Sequence, residues 1–345
     1  MKRIVKLSSL FLLTGLLFAL VDANAQNNVD AKGRKQGRWS KTYSDGKLKY
    51  EGEFKDDCEV GDFKYYNKDG SLKEKISYKG DCKTGYCEVY YRKGQVMSSG
   101  EYLNKKKNGV WSYYSVDGKL LSKETYKEGL KEGEETIWDT KGNVLEKINY
   151  KKGKKNGENY KYLYAEGFQT YTYVDDVREG DYRNYYSDKQ LRIEGQYSSD
   201  KKNGVWTYTD QAKRKMRVQV WKADVLISDK IILRLRDKER GIAAEEIVCL
   251  YPLGKQTCVV LSNGERLTCF NSYDQILDCT DGNYLIRLNE KNNLYVNPNA
   301  VKSVKENIDG QAEVITEPKT DIKIIADKEG LKAVHSVLNK EKIGK

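Results

Sequence analysis

The sequence predicts a mainly β chain: an elongated ribbon of stacked β-hairpins in eight repeats of about 24 residues each, then a small, mostly β domain ending in a short helix. Three observations predict it. Glycine anchors at Gly37, Gly61, Gly85, Gly109, Gly133, Gly157, Gly180 and Gly204 recur at one constant interval, shortened by a single residue between Gly157 and Gly180. Seventeen residues after each anchor (sixteen in the sixth unit) comes an aromatic: Phe54, Tyr78, Tyr102, Tyr126, Tyr150, Tyr173, Tyr197 and Trp221. Beyond Trp221 the glycine period stops and the composition turns to Ile, Leu and Val. So regular a period means one supersecondary element stacked on copies of itself, which offers surface rather than a buried catalytic pocket.

Residues 1–25 read as a cleaved secretory signal. Lys2, Arg3 and Lys6 precede a mostly apolar run from Leu7 to Val21, and Ala23-Asn24-Ala25 gives the small-x-small pattern for cleavage before Gln26. The run is about 15 residues, short of the ~20 that span a bilayer as a helix. Residues 26–35 then form a linker and 36–222 the repeats. Loss of Lys2, Arg3, Lys6 and Asp22 with the leader lowers the net charge from +11 to +9. Interspersed Lys, Asp and Glu keep turns and strand edges from self-pairing; the sharper alternative is attraction to anionic lipid or polysaccharide.

Within a unit, Asp117-Gly118 is a turn signal, echoed at Asp45-Gly46, Asp69-Gly70, Lys93-Gly94 and Lys141-Gly142. An aromatic and β-branched segment precedes each turn and a second short strand follows it, so each unit is a hairpin. Counting the anchor as position one, period-two alternation places positions three and five on a core face, as in Phe63 with Tyr65. Positions twelve and eighteen, as in Leu72 with Tyr78, are expected to share a core face on the return strand. Position six faces the other way and is aromatic in six consecutive units: Tyr66, Tyr90, Tyr114, Trp138, Tyr162 and Tyr185. Two strands per hairpin at ~4.8 Å space such a ladder at about 9–10 Å. It is the candidate binding surface of the repeats, although cross-strand aromatics also simply stabilise sheets.

Export makes disulfides available to all seven cysteines. Cys258 and Cys269 flank Asn263-Gly264 symmetrically, and a two-residue hairpin there would set them opposite each other, within bridging distance. Cys249 with Cys279, and Cys82 with Cys87, are further pairings; the odd total leaves one thiol over, with Cys58 the candidate. In residues 223–345, strands are predicted at Ile231–Leu235, Glu246–Leu250, Cys258–Leu261, Glu265–Phe270, Tyr284–Leu288, Asn293–Val296, Ala300–Val304, Ala312–Thr316 and Ile322–Ile325. Ser272–Leu277 reads as a short helix or turn, and Leu331, Val334 and Leu338 fall on one face of a closing helix. Two tandem halves are one way to arrange these elements.

The order G-x-W-x-x-Y-Y-x-x-D-G-K-L followed by Y-K-x-G-x-x-x-G, visible at Gly61 to Gly85, Gly109 to Gly133 and Gly133 to Gly157, resembles the MORN repeat. The likeness is strongest to the bacterial MORN-variant repeats of exported envelope proteins. It covers residues 36 to 222 and weakens in the sixth unit, where Asn159 replaces the aromatic, and in the eighth, where Lys213 to Arg217 replaces the turn. The resemblance implies a stacked hairpin ribbon used for protein or membrane association, and carries over no catalytic residue. A looser likeness to the repeats of choline-binding, wall-attaching modules implies carbohydrate binding. TCVVLSNGERLTCFNSYDQI and YLIRLNEKNNLYVNPNAVKSV resemble the LytTR type of small β domain. That family's basic R-x-H-R-S stretch is missing, with Arg287 to Lys291 in its place, so only the fold carries over.

No G-x-S-x-G, phosphate loop or dinucleotide fingerprint occurs. The single histidine, His335, and scattered cysteines form neither a zinc pattern nor a nucleophile pair. The expectation is therefore a non-enzymatic scaffold of the bacterial envelope, periplasmic, on the outer surface or secreted, with no cofactor and no metal. Its expected partner is an envelope protein or a membrane or glycan surface rather than nucleic acid, and glycan binding through the aromatic ladder is the alternative.

Overall fold

The computed structural model describes residues 27–280, 284–306, 311–317, 319–320 and 323–343; the leader read in residues 1–25 lies outside them. The chain divides into two compact units, Met1–Leu120 with Tyr126–Gly129, and Leu121–Thr125 with Leu130–Lys345.

In the first unit, strands Lys35–Thr42, Leu48–Lys55, Cys58–Tyr66, Leu72–Tyr78, Thr84–Tyr90, Val96–Leu103 and Lys106–Tyr114 pair antiparallel, each with the next in the chain. The hairpin turns span five residues, closed in the first repeat by Tyr43 N–H to the Lys47 carbonyl at 2.8 Å, with Gly46 at φ 83°. Gly61 sits at φ 63° because the strand bulges there, three residues opposing Gly52 on the neighbouring strand. Gly85 is the exception among the anchors. Its strand pairs with Leu72–Tyr78 without a break, and a Cβ there would lie 2.7 Å from Ile76 Cγ2.

The second unit continues the pattern with Gly133–Trp138, Val144–Lys151, Gly157–Tyr162, Phe168–Val174, Val177–Tyr185, Leu191–Ser198, Lys201–Thr209 and Lys215–Lys222. The ladder does not end at residue 222: Val225–Arg234 pairs with Lys215–Lys222, and Glu239–Ile242 pairs with Val225–Arg234. A five-stranded antiparallel sheet follows, in the order Arg266–Cys269, Gln256–Leu261, Ile247–Leu253, Leu294–Val296, Ile286–Asn289. One face buries Ile247, Leu250, Val259 and Leu267 against Met216, Ile231, Leu233 and Ile242 of the last hairpins and Ile276 of helix Tyr273–Leu277. The other buries Val248, Cys249 and Val260 against Val314 and Ile324 of the sheet Val301–Glu306, Ala312–Thr316, Ile324–Ala326, and Val334 of helix Lys328–Ile343. Leu294–Val296 joins the same sheet as Ile247–Leu253, so strands from both parts of this region share one sheet, with a buried cluster on each face.

Two expectations are corrected here. The turn after Leu261 is one residue longer than a two-residue hairpin, Leu261 N–H bonding the Glu265 carbonyl. The register becomes Cys258 opposite Thr268 and Thr257 opposite Cys269, so the two thiols point to opposite faces and the Cys258–Cys269 bridge does not form. The disulfide present joins Cys58 to Cys82, with Cα atoms 4.9 Å apart, and Cys87, Cys249 and Cys279 are buried outside any disulfide. Position twelve is the second. An extra residue, Lys73, sets Leu72 across from Tyr66, not in line with Tyr78.

Candidate functional site

Alternation along the anchor strands separates two faces. At position three Phe63, Cys87, Trp111 and Trp206 are buried, while at position two Tyr86, Val110 and Val205 lie outward, Val110 at 56% exposure against 1% for Trp111. The core face is filled by complementary volumes. Phe63, Trp111 and Trp206 each lie over the glycine at position sixteen of the preceding hairpin: Gly52, Gly100 and Gly195. Where position sixteen is Ile76 instead, the facing residue is the small Cys87. Each ring then packs edge-on against a position-eighteen aromatic, as Trp111 does with Tyr102 at 5.0 Å and Trp206 with Tyr197 at 5.3 Å.

A basic residue two places before the anchor lies over these rings. Lys35 covers Phe54, Lys107 covers Trp111 and Tyr126, Lys131 covers Tyr150, Lys155 covers Tyr173, Arg178 covers Tyr197 and Lys202 covers Trp221, at 4.2 to 5.3 Å from the ring centres. Part of the basic excess therefore packs into the repeats instead of forming an outward patch. Lys131 also bridges two carboxylates at core positions, Glu124 at 3.1 Å and Glu135 at 2.8 Å. Burial works against its charge, but the hydrogen bonds to Glu135 and Glu124 hold the ammonium above its ordinary pKa.

The six ladder residues are all half-buried, Tyr66, Tyr90 and Tyr114 in the first unit and Trp138, Tyr162 and Tyr185 in the second. Tyr66 donates its hydroxyl to Glu51 at 2.7 Å and Tyr90 to Glu88 at 2.9 Å. Burial first, then the neighbouring carboxylate, pushes both phenols up to about 12. Tyr185 stacks on Phe168 at 4.5 Å, and Phe168 lies 5.2 Å from Tyr160. Tyr162 meets the exposed Tyr164 at 5.6 Å. These rings use faces or hydroxyls on their own neighbours. His335 meets Glu306 at 3.2 Å, and no cluster of metal-ligating side chains occurs among the described residues.

Five segments match the family model of the MORN repeat variant: residues 35–56, 59–79, 107–128, 131–152 and 178–199. The matched hairpins are MORN-variant repeats. Every matched segment but that at Glu59 begins on the basic residue that covers its position-eighteen ring, so the ring and its cation belong to the MORN unit. No curated protein sequence matches the chain. Among solved structures, the LytTr DNA-binding domain of a Bacillus cereus response regulator is 14% identical, with 32% of this chain and 95% of that one covered at a TM-score of 0.27. A TcdB2–TccC3–Cdc42 complex is 12% identical, with 84% of this chain and 14% of that one covered at 0.16. MORN-variant repeats mark a repeat-based binding protein.

Proposed function

We propose that the chain is a non-enzymatic, exported scaffold of the bacterial cell envelope that binds a protein partner through the outward face of its MORN-variant hairpins. The observation that carries this reading is the apolar exposure at position two. Tyr86 stands out opposite Glu101, and Val205 among Asp181, Arg183 and Glu194. Exposed apolar side chains amid charge fit a protein surface. Three of the position-six residues, Tyr66, Tyr90 and Tyr185, by contrast, are engaged with Glu51, Glu88 and Phe168, which disfavours these three as free platforms for sugar rings. The Cys58–Cys82 disulfide fits an oxidising compartment, and among the described residues no helix is long and apolar enough to cross a membrane.

Crosslinking in the native envelope, followed by identification of the captured species, tests the reading. A discrete protein is expected. Capture of glycan or lipid alone, or recovery of the chain from the cytosol with its leader uncut, would overturn it.

A further inference from the structure

The repeat ladder contains a ninth hairpin that is left half-built. Ala223 and Asp224 make the same left-handed turn, φ 50° and 68°, as Ser199 and Asp200 at 51° and 67°. Ser228 then stands one full period after Gly204, but it pairs directly with Val220 instead of opening the three-residue bulge that begins at Gly204. The return strand starts in register, Ile242 opposite Ile231, but leaves the ladder at Ala243 and turns through Ala244–Glu246 into the five-stranded sheet. Val225–Lys230 therefore pairs on one edge with Lys215–Lys222, and among the described residues no strand pairs with its other edge.

Earlier repeats show what that edge lacks. The backbone N–H of Lys35, Lys155, Arg178 and Lys202 donates to the side chain of Asp57, Asp176, Asp200 and Asp224 at 2.7 to 3.0 Å. The carbonyls of the same four residues accept the aspartate N–H at 3.0 to 3.2 Å. Leu226 occupies the equivalent place, one period after Lys202, with no such clasp among the described residues. Where each of the other repeats except the second carries a basic residue, this one carries Val225, Leu226 and Ile227, exposed at 60, 43 and 60%. Beside them lies a cleft of about 280 Å³ whose apolar side is Leu226, Ile227 and Ile231 and whose polar side is the Arg217–Asp229 ion pair and Glu245.

We propose that this edge takes up an extended strand of a partner protein, which completes the ninth hairpin by β-addition. The incoming backbone pairs with Leu226 and the stretch from Ser228 to Lys230. One bulky apolar side chain, in the place that Trp221 fills in the eighth repeat, enters the cleft. Leu226 in place of the usual cation makes that side chain aromatic or branched aliphatic. A second copy of this chain is the rival occupant, and the self-association measurement below decides between the two. The inference deepens the protein-binding reading above and rests on it.

The test uses the full chain and a synthetic strand peptide with the sequence of residues 215–222, KMRVQVWK, read by amide hydrogen exchange. At a peptide concentration about ten times Kd, exchange at Leu226 and Ser228 should slow about tenfold. It should not slow in Val225→Lys, Leu226→Lys, Ile227→Asn, which installs the residues of Lys201, Lys202 and Asn203 and so suits the hairpin. The proposal is overturned if these amides are already as protected as that of Lys202 in the chain alone, if no peptide protection is seen, or if protection survives the triple change. Self-association lost in the triple variant would make a second copy the occupant and overturn it as well. Failure of envelope crosslinking to capture any protein would instead sink the broader reading while leaving the exchange pattern unaltered.

Discussion

Exchanging the residue pair at one hairpin boundary for that of the boundary before it should cost clearly less than the two single changes cost in sum. At Gly100 a Cβ would lie 2.4 Å from the Trp111 ring, so Gly100→Ile alone forces the indole out, at a cost of roughly 3 kcal/mol. Trp111→Cys alone leaves the glycine facing a void where a ring was 1% exposed, at a cost of roughly 3–5 kcal/mol. Together they reproduce Ile76 facing Cys87. The double variant should be about 3 kcal/mol more stable than the sum of the singles, the upper range for residues in contact. Full recovery is not expected, because the ladder between Ile76 and Cys87 runs without a break while that near Gly100 bulges between Ser99 and Glu101. Amide exchange along Val96–Leu103 reads the local opening free energy directly. Additive losses would refute volume complementarity between successive hairpins as the source of the fit.

Three further outcomes follow from the geometry. Cys58→Ser with Cys82→Ser opens a 24-residue loop, and the chain-entropy relation expects a loss of about 3 kcal/mol in denaturant unfolding; an unchanged midpoint would contradict it. Asp81 accepts the Thr84 N–H at 2.7 Å and the Lys83 N–H at 2.9 Å, chiefly the former holding its carboxyl down to about 2. A depressed carboxylate stabilises the fold above its unfolded pKa, so protection of these two amides should persist at pH 5 and fall between about pH 4 and 2; protection unchanged at pH 2 would show that the turn does not depend on the ionised side chain. Tyr114→Ala combined with Trp138→Ala should leave both the fold and any retention on envelope polysaccharide as they were, whereas selective loss of retention would establish the carbohydrate alternative.

The repeats are legible because glycine, turn and aromatic recur on one period, and most strands of the carboxy-terminal region are legible to within a few residues because their apolar runs are short and bounded by polar turns; the start of Val225–Arg234 and the short strand Glu239–Ile242 are not. What differs shares one cause: side-chain placement depends on bulges and loop length, which composition does not display. Lys73 shifts Leu72 to the face of Tyr66, and one extra turn residue separates Cys258 from Cys269. Two signals are nonetheless present. Cys58 and Cys82 are 24 residues apart, one repeat, which puts them at equivalent places in adjacent hairpins; spacing within a single hairpin gives no hint of that pair. The basic residue two places before the anchor recurs from Lys35 to Lys202, with Glu59 the exception, on the same period as the aromatics. The ninth hairpin is hidden because Ser228, not glycine, stands one period after Gly204.

Photocrosslinking from single positions in producing cells bears most directly on where a partner sits. A photoreactive side chain replacing Val110 or Val205, each 56% exposed on the outward face, should capture the same discrete protein, and one replacing Lys302 in the carboxy-terminal region should not. Capture from Lys302 with none from Val110 and Val205 would contradict the assignment of binding to the hairpin face.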